Sequence, residues 1–356
     1  MSKKTIAVLF GGKSMEHEVS RVSATSVIKA IDKEKYDIIT IGITKSGEWL
    51  LYEGPLEDIA PGTWEKKAKE DLKNDPQHFG ITLLGAGGRS IKDLCDFVFP
   101  VLHGPNGEDG TVQGLLQLAD VPFAGSGVLG CSSTMDKIAA KEIFKAVGLK
   151  QCPYVALLSS EISPEKEAEI SETLPYPMFV KPANMGSSVG ITKAHGPEEL
   201  HDALVFAAKY DTRIVVEQGV NARELETAIM GHTEIVAGAV GEIIPDAEFY
   251  DYDAKYNNSE SKTLVPANIP EELAEEVRRS AITAFKACGC SGYARVDFLM
   301  DKDSQEIYIN EINAIPGFTN ISMFPMLFMA TGLSYTQIVD KIIELGYERY
   351  NIENKR

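Results

Sequence analysis

An apolar segment, a glycine turn, a helical pattern and a second apolar segment follow one another at the N-terminus, and this order constrains the fold most strongly. Thr5–Phe10 has the composition of a buried strand and ends at Gly11 and Gly12. Apolar residues between 22 and 31 then recur at helical spacing, and Lys35–Thr44 has the pattern of a second strand. Strand–helix–strand order is typical of a parallel unit, because parallel neighbours need a crossover connection. We therefore expect an α/β protein.

Length and charge limit the classes of protein that fit the chain. With 356 residues, two or three packed domains are expected, and 44% hydrophobic with 24% charged residues is typical of a folded soluble protein. The net charge of −17 argues against nucleic-acid or membrane partners, but it does not exclude a local basic pocket for a small polyanion. No apolar run reaches the ~20 residues that span a bilayer, and the N-terminus lacks a signal-peptide pattern. A cytoplasmic location is expected.

The number and spacing of the cysteines also indicate a cytoplasmic protein. Their number is odd, and only the last two lie close together, at a spacing unusual for zinc or redox sites. We expect reduced thiols at all five positions, Cys95, Cys131, Cys152, Cys288 and Cys290.

The last predicted hairpin, residues 293–312, carries the most informative polar pattern. Alternate strand residues share a face, so Arg295 and Asp297 point the same way, as do Glu311 and Asn313. With an even pairing register, all four lie on one face of two neighbouring strands. Two carboxylates and an amide oxygen suit Mg²⁺, and the arginine would add positive charge for a developing anion. A solvated face with a salt bridge is the alternative.

A glycine- and serine-rich loop is a candidate phosphate site. Lys181 ends an apolar strand, and the loop that follows extends to Gly190. Small residues allow backbone N–H groups to wrap a phosphate. The segment is not a P-loop, because the lysine precedes the glycines and Ile191–Lys193 does not begin a helix. An ordinary glycine turn is the alternative.

Two polar segments follow predicted strands in the N-terminal third. Gly11–Glu18 lies where ligands bind in open α/β sheets, but it lacks the G-x-G-x-x-G spacing, which disfavours a nicotinamide cofactor. Glu16 or Glu18 could pair with a substrate ammonium or simply begin a helix. His103 and the acidic turn Glu108–Gly110 follow another strand and are equally explained as a helix cap.

Three further segments mark the organisation of the chain. Val121–Gly127 is predicted to be a short strand and turn at the first domain boundary, and the segment Ser132–Lys137 is predicted to cap a helix that reaches Gly148. A polar, aromatic loop occupies Asp246–Ala267. A loop of about 20 residues inside a compact chain is usually a lid or disordered.

In this order, seven segments resemble the D-alanine–D-alanine ligase family of ATP-grasp enzymes over essentially the whole chain. They are Gly11–Gly12 with Glu16 and Glu18–Ser20, His103–Gly110, Met135–Lys137, Lys181–Gly190, Tyr250–Tyr256, Arg295–Asp297 and Asn310–Thr319. One match would be weak, whereas seven in family order are specific.

The resemblance implies a three-domain ATP-grasp fold of the α/β class. An N-terminal parallel α/β substrate domain is expected over residues 1–125 and a central ATP-grasp subdomain over 126–217. The C-terminal ATP-grasp and metal-binding domain is expected over 218–356, with a lid loop at 246–267. Nucleotide would lie between the central and C-terminal α+β domains.

The resemblance also implies an activity and its cofactors. The expected reaction is ATP-dependent ligation of two D-alanines to D-alanyl-D-alanine through D-alanyl phosphate, for peptidoglycan precursor synthesis. ATP is the co-substrate, with two Mg²⁺ ions or Mn²⁺ as a substitute, and a homodimer is expected. The implied metal ligands are Asp297, Glu311 and Asn313. The implied ATP contacts are Lys137, Lys181, Ser187, Glu217, Gln218, Val220, Glu224, Phe249, Lys255 and Asn310.

Further residues are assigned to the substrates by the same resemblance. Glu16 would bind the ammonium of the first D-alanine and connect through Ser187 to Tyr256 on the lid. Arg295 and the Gly317 N–H would stabilise the tetrahedral oxyanion. The other implied substrate contacts are His103, Lys255 near the γ-phosphate, Ser322 at the second carboxylate, and Met323.

Alternatives remain inside and outside this activity. Resistance-type relatives join D-alanine to D-serine or D-lactate, and they commonly carry arginine after the serine of the last motif. Here Ser322 is followed by the apolar Met323, which favours D-alanine, whereas Ile43–Trp49 resembles some resistance-type members. Other ATP-grasp carboxylate–amine ligases and a non-catalytic nucleotide-binding regulator are the further alternatives. A regulator should have lost metal or phosphate ligands, and none is missing from the sequence.

Overall fold

The N-terminal part of the fold is a four-stranded sheet. The computed structural model describes residues 3–83, 89–244, 262–319 and 321–355. The sheet order is β3-β2-β1-β6, in which β1 pairs in parallel with β2 and β6, and β3 is antiparallel to β2. The elements are β1 (Lys4–Gly11), α1 (His17–Ala30), β2 (Tyr36–Ile43), β3 (Trp49–Tyr52), α2 (Trp64–Asn74), α3 (Pro76–Phe79), β4 (Ile81–Thr82), β5 (Arg89–Ser90), α4 (Ile91–Leu94), β6 (Phe97–Pro100) and α5 (Thr111–Leu118).

Burial on both faces explains why β1 is apolar at successive positions. Ile6 and Val8 pack into one core cluster, and Ala7 and Leu9 pack into a second cluster. A central strand of a parallel sheet is covered on both sides and therefore does not alternate apolar with polar residues. The predicted strand–helix–strand unit is confirmed.

The central part is a four-stranded antiparallel sheet of order β7-β10-β8-β9. Its helices α8 and α9 close a core that contains Ile170, Leu204 and Val216. The elements are α6 (Val128–Met135), α7 (Lys137–Ala146), β7 (Tyr154–Leu158), α8 (Pro164–Thr173), β8 (Met178–Pro182), β9 (Thr192–Ala194), α9 (Pro197–Ala207) and β10 (Arg213–Gln218), with a short 3₁₀ helix at Ser159–Glu161. Another short 3₁₀ helix, Leu56–Asp58, follows β3 in the N-terminal part.

The C-terminal part is a five-stranded antiparallel sheet of order β13-β12-β11-β14-β15. Its strands alternate between two cores, since Ala228 and Met230 join one cluster and Leu225 and Ile229 the other. The elements are β11 (Ala222–Gly231), β12 (Ile235–Ile244), β13 (Lys262–Leu264), α10 (Glu271–Ala287), β14 (Gly292–Asp301), β15 (Ile307–Asn313), α11 (Met323–Met329) and α12 (Tyr335–Glu353). The three sheets follow the three predicted domains, whose boundaries stay predictions.

Of two local expectations, one was wrong and the other is confirmed. Val121–Gly127 is not a strand, because only Phe123 forms an isolated bridge, to Val98. The predicted helix after Ser132–Lys137 is confirmed as α7, which ends at Ala146. Its cap is Asp136, whose carboxylate accepts the N–H of Ala139 at 2.9 Å, whereas Ser132 lies within α6. The Ser132 hydroxyl instead donates to a carbonyl of the preceding turn, a competing bond common for serine within helices.

The cysteine prediction holds, because all five thiols are free and buried. Within the described parts of the chain, no helix is both long and apolar enough to cross a membrane.

Candidate active site

The hairpin of β14 and β15 has the register that the polar pattern requires. Arg295 lies opposite Asn313, and Asp297 lies opposite Glu311. The neighbouring strand β11 continues the row, because its Glu226 lies opposite Asp297. Three carboxylates therefore cross three adjacent strands side by side, and the pairing register meets the condition under which the four side chains share one face.

A β-bulge adjusts this face. Asp297 pairs with Glu311, but the next residue, Phe298, pairs with Ile309, so Asn310 is the extra residue. The bulge lets Ile309 and Ile312 both reach the core while Glu311 keeps the polar face. Bulges are frequent beside active sites, where they redirect a side chain. Asn310, a predicted ATP contact, is half-buried at this point.

Arg295 is held by two carboxylates. Its Nε and Nη2 donate to the two oxygens of Asp297, both at 2.7 Å, and Nε also lies 3.0 Å from Glu226 Oε2. Burial opposes the charge of Arg295, but Asp297 and Glu226 outweigh it and raise the pKa of the guanidinium. Arg295 is therefore a permanent cation on the polar face of the sheet.

The donor set on this face fits Mg²⁺. Asp297, Glu311 and Asn313 offer hard oxygen ligands, and the Asn313 amide already lies 2.9 Å from Asp297. Over the residues that the structure describes, no group of three or more His, Cys, Asp or Glu could hold a metal ion. Mg²⁺ commonly takes one or two protein carboxylates and completes its shell with substrate phosphates and water.

A buried ion-pair triad lies on the central sheet. Lys181 on β8 and Lys141 on α7 contact opposite oxygens of Glu217 on β10, at 3.0 and 3.2 Å. Burial alone would raise the pKa of Glu217, but the two ammonium groups outweigh it and hold the pKa at about 2. Burial likewise opposes the charge of Lys181, while Glu217 and Glu311 raise its pKa. The influence of Glu311 links the triad to the face of the C-terminal sheet.

Four further predicted ATP contacts among the described residues lie on or beside the same two sheets. Lys137 begins α7, and its ammonium donates to the Met185 carbonyl in the loop after β8. Gln218 and Val220 form the exit of β10, and Glu224 lies near the start of β11. The loop itself is strained, because Ser187 and Ser188 both have positive φ angles. Strained backbone of this kind concentrates at functional sites.

Glu16 and Ser187 meet, although they come from different sheets. Glu16 lies at the N-terminus of α1, is 6% exposed, and accepts a hydrogen bond from the Ser187 hydroxyl. Two glycines make room for the carboxylate, because a Cβ at Gly104 or at Gly186 would lie 2.6 Å from Glu16 Oε2. The loop after β8 therefore packs against Glu16 in the polar segment that follows β1.

Residues of the N-terminal part of the fold hold the segment that carries Gly317. His103 Nδ1 lies 3.0 Å from the Ile315 carbonyl, and Glu108 accepts the Ile315 N–H at 3.3 Å. Burial lowers the pKa of His103, against the charge of Glu16, so the ring is neutral and donates from Nδ1. Its Nε2 then accepts from Ser23, whose oxygen accepts the Phe318 N–H at 3.4 Å.

Glu108 is the most perturbed acid of this cluster. One of its oxygens accepts the Gly104 N–H at 2.8 Å, while the other holds Ile315. Burial and the nearby Glu16 carboxylate raise the pKa of Glu108 to about 8. Perturbed acids of this type are frequent in active sites.

The remaining predicted substrate contacts lie just beyond this segment. Ser322 Oγ accepts the Thr319 N–H at 2.9 Å, and a Cβ at Gly317 would lie 2.9 Å from the same oxygen. Met323 is 4% exposed, and its terminal methyl packs against Gly241. The roles assigned to these residues and to His103 stay predictions. Phe249, Lys255, Tyr256 and most of the predicted lid lie outside the described residues.

Sequence reasoning missed three residues that support the site. Ser23, Lys141 and Glu226 are buried and contact predicted site residues across the fold. The only signal for two of them was a charged residue on an otherwise apolar helix face or strand. No local pattern marks Ser23.

Two family models match the chain, the D-Ala-D-Ala ligase N-terminus over residues 5–126 and the D-Ala-D-Ala ligase C-terminus over residues 143–344. The chain belongs to the D-alanine–D-alanine ligase family. It is 48% identical to the D-alanine–D-alanine ligase of Acetivibrio thermocellus, over 98% of this chain and 97% of the relative. It is 50% identical to the ligase of the same name from Ruminiclostridium cellulolyticum, with the same coverage.

Solved structures of this ligase family share the architecture. The VanG D-Ala:D-Ser ligase of Enterococcus faecalis superposes with a TM-score of 0.83 at 39% identity, covering 97% of this chain and all of that one. The D-alanine–D-alanine ligase of Coxiella burnetii also gives 0.83, at 31% identity, covering 100% of this chain and 97% of that one. The predicted ATP-grasp fold is confirmed.

Proposed function

We propose that this protein joins two D-alanine molecules to D-alanyl-D-alanine at the expense of ATP, through a D-alanyl phosphate. The observation that carries the proposal is the in-register pair Asp297 and Glu311, with Arg295 and Asn313 beside it on one face. Membership of the ligase family supports the same activity, and relatives about half identical to this chain are named D-alanine–D-alanine ligases.

The first proposed step is phosphoryl transfer. A carboxylate oxygen of the first D-alanine attacks the γ-phosphorus of ATP, and ADP leaves. Glu16 holds the substrate ammonium, so its buried carboxylate fixes the direction in which the substrate carboxylate points. Such reactions depend on positioning and on charge neutralisation more than on a strong nucleophile.

The nucleotide is proposed to lie between the central and C-terminal sheets. Lys137 and Lys181 bind its phosphates, and the exit of β10 from Glu217 to Val220 borders the adenine. Because its pKa is about 2, Glu217 is always ionised and accepts hydrogen bonds only, which suits the exocyclic amine of adenine. Asp297, Glu311 and Asn313 would hold two Mg²⁺ ions, which supply neutralisation of the phosphate charge.

The second proposed step is acyl transfer. The neutral amine of the second D-alanine attacks the acyl carbon, the C–N bond forms, and the C–O bond to phosphate breaks. The proton that the amine loses balances the charge of the released hydrogen phosphate. Arg295 and the Gly317 N–H stabilise the developing oxyanion, as preorganised donors do in acyl-transfer enzymes. His103, Ser23 and Glu108 fix the backbone on both sides of Gly317, so that donor is held before substrate binds.

The remaining parts of the proposal follow from the family. We assign the product to peptidoglycan precursor synthesis, the protein to the cytoplasm and the assembly to a homodimer. D-alanine is the proposed acceptor, with Ser322 at its carboxylate.

Phosphate release tests the proposed function. Purified protein with ATP, Mg²⁺ and D-alanine should release phosphate and form the dipeptide, detected by mass spectrometry. D-serine and D-lactate are added in competition, and D-alanyl-D-alanine should remain the main product. A main product with D-serine or D-lactate would identify a resistance-type ligase instead. No phosphate release with any D-amino acid would contradict the proposal and favour a regulator.

A further inference from the structure

We propose that Glu226 is a positioning residue. When a divalent cation binds Asp297, Glu226 accepts the Arg295 hydrogen bond that Asp297 gives up. It thereby keeps the guanidinium on the polar face of the sheet and leaves its terminal nitrogens for substrate. This inference rests on the proposed function, because it needs Asp297 to be a metal ligand.

The first observation is the place of Glu226 in the sheet. It is 5% exposed and lies on the middle strand β11, directly opposite Asp297. Its Oε2 lies 3.0 Å from Arg295 Nε. Arg295 therefore lies between two carboxylates, of which only Asp297 belongs to the proposed metal ligands.

The second observation is how Arg295 now uses its hydrogens. Nε carries a single hydrogen, which points to Asp297 Oδ1 at 2.7 Å, and Nη2 donates to the other oxygen at 2.7 Å. Both oxygens of Asp297 are thus engaged by the guanidinium, in the bidentate geometry that arginine forms with carboxylates.

A divalent cation and this guanidinium compete for the same carboxylate. A cation on Asp297 withdraws at least one oxygen from Arg295 and repels its positive charge. Glu226 is already within 3.0 Å of Nε, so the Nε hydrogen can turn to it with little movement of the side chain. Nη1 and Nη2 are then released toward the face where the oxyanion forms, while the buried positive charge stays paired.

A second buried pair on the same sheet provides a matched control. Glu242 on β12 is also 5% exposed and binds Arg223 through two hydrogen bonds of 2.6 Å. In that pair one arginine contacts one carboxylate, and neither residue is a proposed metal ligand. Glu242→Gln therefore removes a buried ion pair without changing the competition at Asp297.

The test measures ADP binding by titration calorimetry over a series of Mg²⁺ concentrations, with the full-length protein. Glu226→Gln should raise the Mg²⁺ concentration needed for half-maximal binding about tenfold, since partners that orient metal ligands typically affect metal affinity by 10–100-fold. In an Arg295→Met background, which has no competing guanidinium, Glu226→Gln should shift that Mg²⁺ concentration by no more than about twofold. Glu242→Gln should leave it unchanged.

Glu226→Asp covers the case in which the glutamine variant does not fold. It keeps the charge with a shorter reach and should give a smaller shift in the same direction. Equal shifts with and without Arg295 would overturn the inference in favour of a simple through-space charge effect, as would no shift in either background. ADP binding that does not depend on Mg²⁺ in the unmodified protein would instead overturn the metal assignment in the proposed function, and the inference with it.

Discussion

The Ser187 hydroxyl donates a hydrogen bond to the Glu16 carboxylate, although 171 residues separate the two in the chain. The bond joins the strained loop after β8 to the N-terminus of α1. It therefore couples the proposed phosphate loop to the proposed ammonium site for the first D-alanine.

Ser187→Ala should raise the KM for D-alanine about tenfold, because a lost hydrogen bond to a buried carboxylate costs about 1.5 kcal/mol. Steady-state kinetics at saturating ATP measures this change. The control Ser163→Ala removes the cap of α8, where the side chain accepts from Lys166, and should lower stability without changing this KM. An unchanged KM in Ser187→Ala would show that the contact does not position substrate.

Lys141→Met should lower the free energy of unfolding by about 3 kcal/mol, because removing one partner of a buried ion pair leaves the other charge incompletely compensated. Lys141 is 2% exposed and lies 3.2 Å from Glu217, which would keep only Lys181. Urea denaturation provides the measurement. Lys145→Met, on an exposed position of the same helix, is the control and should change stability little. Equal stability of the two variants would argue against the triad.

Glu311→Ala should lower kcat at least about 100-fold while the melting temperature stays close to that of the unmodified protein, because it removes an oxygen donor from the proposed Mg²⁺ site. The control is Glu306→Ala, which changes an exposed residue that directly precedes β15 and pairs with Lys150. Phosphate release and thermal melting are measured on both. Near-normal turnover of the Glu311 variant would remove its proposed role.

Glu108→Gln should gain stability relative to the unmodified protein as the pH rises. The pKa of Glu108 is raised to about 8, so its favourable contribution is complete below the unfolded value of about 4.3 and is lost as the pH passes through 8. Denaturation of both proteins at several pH values between about 5 and 9 measures the difference in unfolding free energy. Asp109→Asn leaves Glu108 intact and should not reproduce the trend. A difference that does not vary with pH would contradict the raised pKa.

The sequence predicted those parts of the fold that local pattern determines. The alternation of apolar and polar residues around Arg295 and Asp297 predicted which side chains of each strand share a face. The pairing register itself was left as a condition, although a slip by one residue would bury the charges. The bulge at Asn310 was not predicted, although the odd spacing of Ile309 and Ile312 could have indicated it.

Contacts between residues that are distant in the chain could not be predicted from local sequence patterns. Ser23 and Glu226 gain their significance only when strands and loops distant in the chain meet. The sequence pattern around Ser23 or Glu226 does not indicate such a contact.

Transfer of labelled oxygen tests the proposed activity most directly. D-alanine labelled with ¹⁸O in its carboxylate is incubated with the protein, ATP and Mg²⁺, and the released phosphate is analysed by mass spectrometry. If a D-alanyl phosphate forms, the oxygen that attacks the γ-phosphorus leaves with the phosphate, so each phosphate should carry one labelled oxygen from fully labelled substrate. Phosphate without label, released as the dipeptide accumulates, would contradict the account.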